Sequence, residues 1–179
     1  KHFIYMNKGR LLVGGALLGV VAVAMLNSCR TIPKGVTAVR PFDVNRYLGK
    51  WYEIARFDYR FEKNLKNVTA QYSLNPDGSI KVINRGYDFK KQEWEETTGK
   101  AKFVEDESTG KLKVSFFGPF YSGYNVIEID PEYRYALVAG KDRGYLWLLS
   151  RETTMPGTVK QRYLEKARSL GYDTSKLIW

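Results

Sequence analysis

The sequence predicts an all-β domain, an eight-stranded up-and-down antiparallel barrel that is followed by one α-helix. Three observations support this prediction. Between residues 51 and 150, segments rich in β-branched and aromatic residues alternate with clusters of turn residues. The connections are short, and eight antiparallel strands with short connections can close into a barrel that leaves no exposed edge. After the last strand, apolar residues recur at helical spacing.

The expected strands cover residues 51–58, 68–74, 79–87, 93–104, 111–116, 124–130, 135–140 and 145–150. Turn chemistry is clearest at residues 75–78 and 141–144, where a glycine supplies the positive φ that a tight turn needs. The expected helix repeats its apolar residues at Val159, Tyr163 and Ala167, and it ends near Gly171. The chain therefore places all of its strands before this helix.

Residues 1–28 have the pattern of an export signal. A short basic region at residues 7–10 precedes an uncharged apolar run at residues 11–26, and Cys29 follows two small polar residues. The run is shorter than the ~20 residues of a membrane span. The ending Leu26-Asn27-Ser28-Cys29 resembles the lipobox of bacterial lipoproteins, in which the cysteine is lipidated and becomes the new N-terminus. The alternative is that Cys29 is an ordinary thiol.

These features divide the chain into a signal peptide (residues 1–28), a lipidated N-terminus with a linker (29–40) and the barrel domain (41–179). Arg30 follows the cysteine, whereas an aspartate at this position usually retains such lipoproteins in the inner membrane. We therefore expect a lipid-anchored protein of the bacterial outer membrane. The two or three acyl chains of a lipobox cysteine would make this anchoring stable.

Composition excludes several kinds of chemistry. The predicted signal contains Lys1, Lys8 and Arg10, so 26 of the 29 Lys and Arg residues remain against 19 Asp and Glu, a formal charge of +7. The basic residues are spread over strands and turns without a nucleic-acid-binding motif, so a membrane surface is the expected partner and a nucleic acid is not. His2 is the only histidine. The mature chain therefore lacks Ser-His and Cys-His nucleophiles and the usual zinc ligands, and we expect no metal and no cofactor.

Two motifs at the ends of the expected sheet resemble the lipocalin family. Gly49-Lys50-Trp51 opens the first strand and is similar to the family's Gly-x-Trp signature, and Arg151 follows the last strand. The resemblance implies that Trp51 closes one end of the barrel, that Arg151 lies over its indole, and that the helix packs outside. It covers residues 41–179 and, with the lipobox, indicates the bacterial outer-membrane lipoprotein branch. The chain departs from the family at residues 130–133, where a Thr-Asp-Tyr triplet is common.

Strand alternation then predicts which side chains point into the barrel. If Trp51 points inward, Glu53, Ala55 and Phe57 do so as well, and the same reasoning on the other strands selects a large apolar and aromatic set. The residues expected to contact a ligand are Phe57, Ala70, Tyr72, Val82, Asn84, Ala101, Phe103, Val114, Phe116, Asn125, Ile127, Val138, Tyr145 and Trp147. Such a lining suits one acyl chain. The alternative is a core filled by these side chains, without a cavity.

Glu53 is unusual because it is a carboxylate on the inward face, near the closed end that we call the floor. Trp51 and Arg151 are the other residues expected at the floor. A buried carboxylate needs a partner or a proton. We expect Glu53 to pair with Arg151 or another cation, and the alternative is a catalytic role.

The open end of the barrel, which we call the mouth, is expected to be aromatic. Because the first strand starts at the floor, the mouth loops follow the odd-numbered strands, at residues 59–67, 88–92, 117–123 and 141–144. The aromatic residues expected there are Phe61, Phe117, Phe120 and Tyr121. Beside basic residues such as Lys63 and Lys66 they suit contact with lipid headgroups. The alternative is that they pack against their own barrel.

These observations favour a binding protein over an enzyme. We expect a fatty acid or a lysophospholipid-like lipid to be held in the barrel for storage or transport at the bacterial outer membrane. One alternative is an enzyme that acts on a bound lipid or isoprenoid, for which only Glu53 and tyrosines are available. Another is a structural envelope lipoprotein without a ligand. Nothing in the sequence decides between a monomer and a homodimer.

Overall fold

The computed structural model describes residues 30–60 and 62–179, so the predicted signal, Cys29 and Phe61 lie outside the described residues. The elements, in chain order, are α1 (Val44–Tyr47), β1 (Gly49–Phe57), β2 (Leu65–Leu74), β3 (Ile80–Asp88), β4 (Glu93–Phe103), β5 (Lys111–Phe117), β6 (Phe120–Ile129), β7 (Tyr135–Gly140), β8 (Leu146–Ser150), α2 (Gly157–Ser169), a 3₁₀ helix (Thr174–Lys176) and β9 (Leu177–Ile178). No helix in this part of the chain is long and apolar enough to cross a membrane.

The predicted fold class is confirmed. Strands β1 to β8 pair antiparallel with their neighbours in chain order, and pairing of β1 with β8 closes the sheet into an eight-stranded barrel. The short strand β9 adds to the outer end of β1 at residues 56 and 57. Strand β6 begins at Phe120, four residues before the expected start, because Phe120 pairs with Phe117 across the two-residue connection Gly118-Pro119.

Apolar side chains form two separate clusters, one inside the barrel and one outside it. The inner cluster contains Trp51 and packs around the floor. The outer cluster lies between the barrel wall and α2, where Tyr163 and Ala167 are fully buried. The Tyr163 hydroxyl donates to the Tyr135 carbonyl at 2.9 Å. Because α2 covers part of the wall, several strands bury both of their faces.

A β-bulge in β1 decides which of its side chains enter the barrel. Glu53 pairs with Leu149 and Ala55 pairs with Leu148, so Ile54 is an extra residue on β1. An extra residue reverses the inside and outside of every later position in a strand. Ala55 and Phe57 therefore belong to the outer cluster. The predicted inward position of Phe57 is wrong for this reason.

The segment at residues 31–42 runs along the outside of the barrel, and we call it the strap. The Thr31 carbonyl accepts from the Asn125 side chain at 2.7 Å, and the Lys34 carbonyl accepts from Arg143 at 2.8 Å. Further along, the Val39 amide donates to the Val126 carbonyl at 2.8 Å. The strap thus starts beside the β7–β8 connection, which is at the mouth. It ends in α1 below the floor.

Candidate ligand cavity

The barrel encloses a cavity of about 570 Å³. The cavity extends from the mouth, where Phe120 and Lys141 line it, to the floor, where Phe42 and Tyr47 line it. The volume lies within the range of pockets that hold small organic ligands, ~300–1,000 Å³. A solidly filled barrel, the alternative considered from the sequence, does not describe this molecule.

The floor is closed by the two residues that the family resemblance placed there. Trp51 is fully buried, and its indole nitrogen donates to the Tyr47 carbonyl at 2.8 Å. The guanidinium carbon of Arg151 lies 3.9 Å from the centre of the Trp51 ring system. The same guanidinium donates to the carbonyls of Lys50 and Arg46 at 2.9 and 2.7 Å. A cation–π contact of this kind contributes ~0.5–2 kcal/mol.

Three tyrosine hydroxyls meet just above the floor. The Tyr124 hydroxyl lies 2.6 Å from that of Tyr47 and 2.8 Å from that of Tyr72. Burial raises the pKa of all three tyrosines, so they remain protonated and neutral. Two hydrogen bonds use two of the three hydroxyl protons. The remaining proton is available to a polar atom of a ligand that reaches this depth.

Glu53, Arg56 and Glu62 form a charged cluster, of which the two glutamates line the cavity. An Arg56 side-chain nitrogen (Nη1) donates to Glu53 Oε1 at 2.6 Å, and Arg56 Nε lies 3.3 Å from Glu62 Oε2. Arg56 Nη2 also donates to the Glu62 and Leu65 carbonyls at 2.8 and 3.1 Å. Each of the three charged side chains is less than a tenth exposed. The partner of Glu53 is therefore Arg56 and not Arg151.

One guanidinium cannot neutralise two buried carboxylates. Desolvation, reinforced by the negative charge of Glu62, raises the pKa of Glu53 to about 8. Desolvation also raises the pKa of Glu62. The pair therefore retains a proton near neutral pH, and the cluster as a whole is close to neutral.

Aromatic rings lie beside this charged cluster. The Tyr59 ring stands edge-on to Tyr145 and Trp147, with ring centres 5.6 and 5.7 Å apart. All three rings line the cavity, together with Glu53 and Glu62. This wall offers a ligand large apolar surfaces with polar atoms at a few positions.

The structure brings most of the predicted lining residues to the cavity. Those found there are Ala70, Tyr72, Val82, Asn84, Ala101, Val114, Phe116, Tyr145 and Trp147. Phe103 and Val138 point inward but belong to the packed inner cluster, where Phe103 contacts Phe42 at 6.4 Å between ring centres. Contact of these residues with a ligand remains a prediction.

Two predicted positions on β6 are wrong. Ile127 belongs to the outer cluster, and Asn125 is fully buried under the strap, where it donates to the Thr31 carbonyl. The inward residues are Tyr124 and Val126. Both faces of β6 are covered, one by the interior and the other by the strap and α2. Apolar alternation therefore could not identify the inward face.

Sequence reasoning missed Tyr47, Tyr59, Glu62 and Tyr124 as cavity residues, and Arg56 as the partner of Glu53 and Glu62. Arg56 and Tyr124 lie on strands whose inward face was assigned in the wrong phase. Tyr47 is on α1, and Tyr59 and Glu62 are on a mouth loop, where alternation makes no prediction. Arg56 carried one signal, since a cation three residues from a buried carboxylate is a candidate partner for it.

The mouth aromatics are exposed. Phe117, Phe120 and Tyr121 are 62%, 79% and 40% accessible, and all three line the opening of the cavity. Lys113 lies over the Tyr121 ring at 5.3 Å. The alternative in which these side chains pack away against the barrel does not describe Phe120. Phe61 lies outside the described residues, so its place at the mouth remains a prediction.

Comparison with known proteins identifies the family. A lipocalin-like domain model matches residues 42–179. The chain belongs to the lipocalin family. It is 54% identical over 168 residues to the outer membrane lipoprotein Blc of Escherichia coli, with 94% of each chain covered. It is 47% identical over 165 residues to the protein of that name from Vibrio cholerae, with 92% of this chain and 96% of the relative covered.

The likeness extends to lipocalins outside bacteria. Temperature-induced lipocalin-1 of Arabidopsis thaliana is 41% identical over 156 residues, covering 82% of this chain and 83% of the relative. The structure of insecticyanin from the tobacco hornworm superposes with a TM-score of 0.65 at 22% identity, covering 83% and 85% of the two chains, which supports the fold. Lipocalins are generally binding and transport proteins, and the cavity described above is consistent with that class.

Proposed function

We propose that this lipocalin binds one amphiphile with a single acyl chain, a fatty acid or a lysophospholipid, and stores or carries it at the bacterial outer membrane. The observation that carries the proposal is the cavity of about 570 Å³ with apolar walls and an open, aromatic mouth. Burial of an acyl chain contributes ~0.8 kcal/mol per CH₂ group, so ten buried groups offset the cost of immobilising the ligand.

The charged cluster supports an orientation with the headgroup at the mouth. An anionic carboxylate or phosphate inside the cavity would approach Glu53 and Glu62, and the guanidinium of Arg56 is already shared between these two carboxylates. Lys141 lines the cavity at its opening. The acyl chain therefore enters first and ends near the tyrosine hydroxyls above the floor. The anionic group stays in water beside a lysine.

A cavity-filling variant tests the proposal. Ala101→Trp places an indole where Ala101 lines the cavity, and binding of a fluorescent fatty acid should fall at least about tenfold because the chain loses its space. Lys102→Trp, the next residue and one with an exposed outward side chain, is the matched control and should bind normally. Native mass spectrometry of the unsubstituted protein from its own membranes should show a co-purified amphiphile. Absence of both the amphiphile and the fluorescent binding would contradict the proposal.

The proposed location depends on Cys29. The lipobox-like ending at Cys29 and the named outer membrane lipoproteins among the relatives support a lipid anchor in the outer membrane. Globomycin blocks the peptidase that cleaves lipidated precursors, so treated cells should accumulate the full precursor. Unchanged processing would contradict the anchor and would leave the ligand proposal standing.

We propose no catalytic role for the charged cluster. Glu53 and Glu62 are both held by Arg56, and the described residues contain no histidine and no cysteine that could serve as a nucleophile or base. Glu53→Gln should therefore bind the fluorescent fatty acid at least as well as the unsubstituted protein. Loss of a lipid turnover activity in this variant, with folding intact, would favour the enzyme alternative.

A further inference from the structure

The two ends of the barrel carry opposite charge. The four connections at the mouth, residues 58–64, 89–92, 118–119 and 141–145, contain six basic and three acidic residues. The three strand connections at the closed end, residues 75–79, 104–110 and 130–134, contain one basic and six acidic residues. An anionic surface would therefore attract the mouth and repel the floor.

Exposed aromatic side chains concentrate at the basic end. Besides Phe117 and Phe120, the mouth presents Phe89 and Trp94, which are 49% and 50% accessible on the β3–β4 hairpin. Arg85 lies over the Trp94 ring at 4.7 Å. Lys90 and Lys91 occupy the tip of this hairpin and are exposed. Aromatic rings among basic side chains are the composition of surfaces that bind the interface of a bilayer.

The strap brings the N-terminus of the domain to the same end. A Cβ atom on Gly123 would lie 1.7 Å from the Thr31 carbonyl oxygen, so the strap lies directly on the start of β6. Lys141, in a mouth connection, also borders this site. Cys29 is two residues before Thr31, and two residues span at most about 7 Å. A lipid on Cys29 would therefore hold the mouth, and not the floor, next to the membrane.

We propose that the mouth of the barrel docks on an anionic lipid bilayer, with its exposed aromatic side chains in the headgroup layer and the cavity opening facing the lipid. Charge, exposed aromatic surface and the position of the strap support the same orientation independently. The inference shares the Cys29 anchor with the proposed function, but it requires no ligand in the cavity.

Probes at the two ends test the orientation. Phe120→Cys at the mouth and Val104→Cys at the closed end, both exposed, are each labelled with an environment-sensitive dye, and the unsubstituted protein is the blank for Cys29. Each full-chain protein is purified from membranes and reconstituted into phosphatidylcholine vesicles, with or without phosphatidylglycerol and with a spin-labelled lipid as quencher. We expect quenching at position 120 to exceed that at position 104, and phosphatidylglycerol to increase the quenching at position 120 only.

A charge-reversal pair sharpens the test. Lys90→Glu with Lys91→Glu should lower the ratio of docked to undocked protein at least about 30-fold, since each lysine near an anionic surface contributes about fivefold. Lys81→Glu with Lys102→Glu changes the net charge equally on the barrel wall and should have little effect. Equal quenching at both probes, or quenching at position 120 that phosphatidylglycerol leaves unchanged, would overturn the inference. Fluorescent fatty acid binding on the same preparations reports the proposed function separately.

Discussion

Arg56 and Arg151 both place a guanidinium against the barrel interior, but their partners differ in chemistry. Arg56 is almost fully buried between the carboxylates of Glu53 and Glu62. Arg151 lies partly exposed over the Trp51 indole and donates to backbone carbonyls. Loss of Arg56 would leave buried charges unpaired, whereas loss of Arg151 would leave neutral groups near water. The comparison shows that the cost of removing a buried charge is set mainly by the charged partners that are left unpaired.

Replacing Arg56 should have the largest effect. Arg56→Met keeps an apolar stem but removes the guanidinium that pairs with two buried carboxylates, so we expect a loss of about 3–5 kcal/mol in the free energy of unfolding. Urea denaturation at neutral pH measures it. Acidification should recover much of the loss, because protonated carboxyls no longer need the guanidinium. A loss below about 1 kcal/mol would show that the two carboxylates are not paired in this way.

The charged cluster should also make stability depend on pH. Glu53 has a pKa raised to about 8 in the folded protein, well above its value in an unfolded chain. Between about pH 4.5 and pH 8 the folded state holds the Glu53 proton and the unfolded state does not. The stability that this proton contributes is therefore fully present below about pH 4.5 and is lost as the pH rises through about 8. We expect a decrease of about 1–3 kcal/mol across this window. Residues 30–179 contain no histidine that would obscure it.

Glu53→Gln provides the control for this dependence. The amide cannot titrate, so urea denaturation between about pH 5 and pH 8 should give a nearly flat free energy of unfolding. The tyrosines above the floor have pKa values raised by burial beyond their usual range, so they should not titrate in this window. An unchanged slope in the variant would assign the proton to Glu62 or to another group.

Replacing Arg151 should have the smallest effect. Arg151→Met removes the cation–π contact with Trp51 and several hydrogen bonds to carbonyls that water can reach, so we expect a loss of about 1–2 kcal/mol. Thermal denaturation measures it, and Arg151→Lys should recover part of the loss. This effect should be the same at about pH 5 and pH 8, unlike that of Arg56→Met. A loss as large as that of Arg56→Met would erase the distinction between the two sites.

The regular parts of the barrel could be predicted, and its irregularities could not. The floor pair Trp51 and Arg151 followed from the family resemblance, and alternation on β2 to β5 predicted inward residues that line the cavity, except Phe103, which packs in the inner cluster. On β1, alternation correctly predicted the inward side chains of Trp51 and Glu53 but placed Phe57 on the wrong face. The cause is the extra residue Ile54, which reverses the phase and brings Arg56 inside. Nothing in local composition marks that bulge.

A second kind of failure came from burial on both sides of a strand. Alternation works when one face meets water, but β6 lies between the inner cluster and the outer one. Alternation therefore cannot distinguish Tyr124 from Asn125 as the inward residue, and the structure places Tyr124 at the cavity and Asn125 under the strap. Asn125 donates to the carbonyl of Thr31 in the strap, which lies 94 residues away in sequence. Such long-range contacts cannot be predicted from the local sequence.

The contact between Thr31 and Gly123 has a consequence for how fast the cavity could exchange its contents. With lipid on Cys29, a tether of two residues would allow the protein to diffuse laterally in the leaflet but would prevent its release from the membrane. Encounters with donor molecules would then occur in two dimensions, at rates governed by lateral diffusion and surface density. Each copy would serve its own patch of the envelope rather than shuttle across the periplasm.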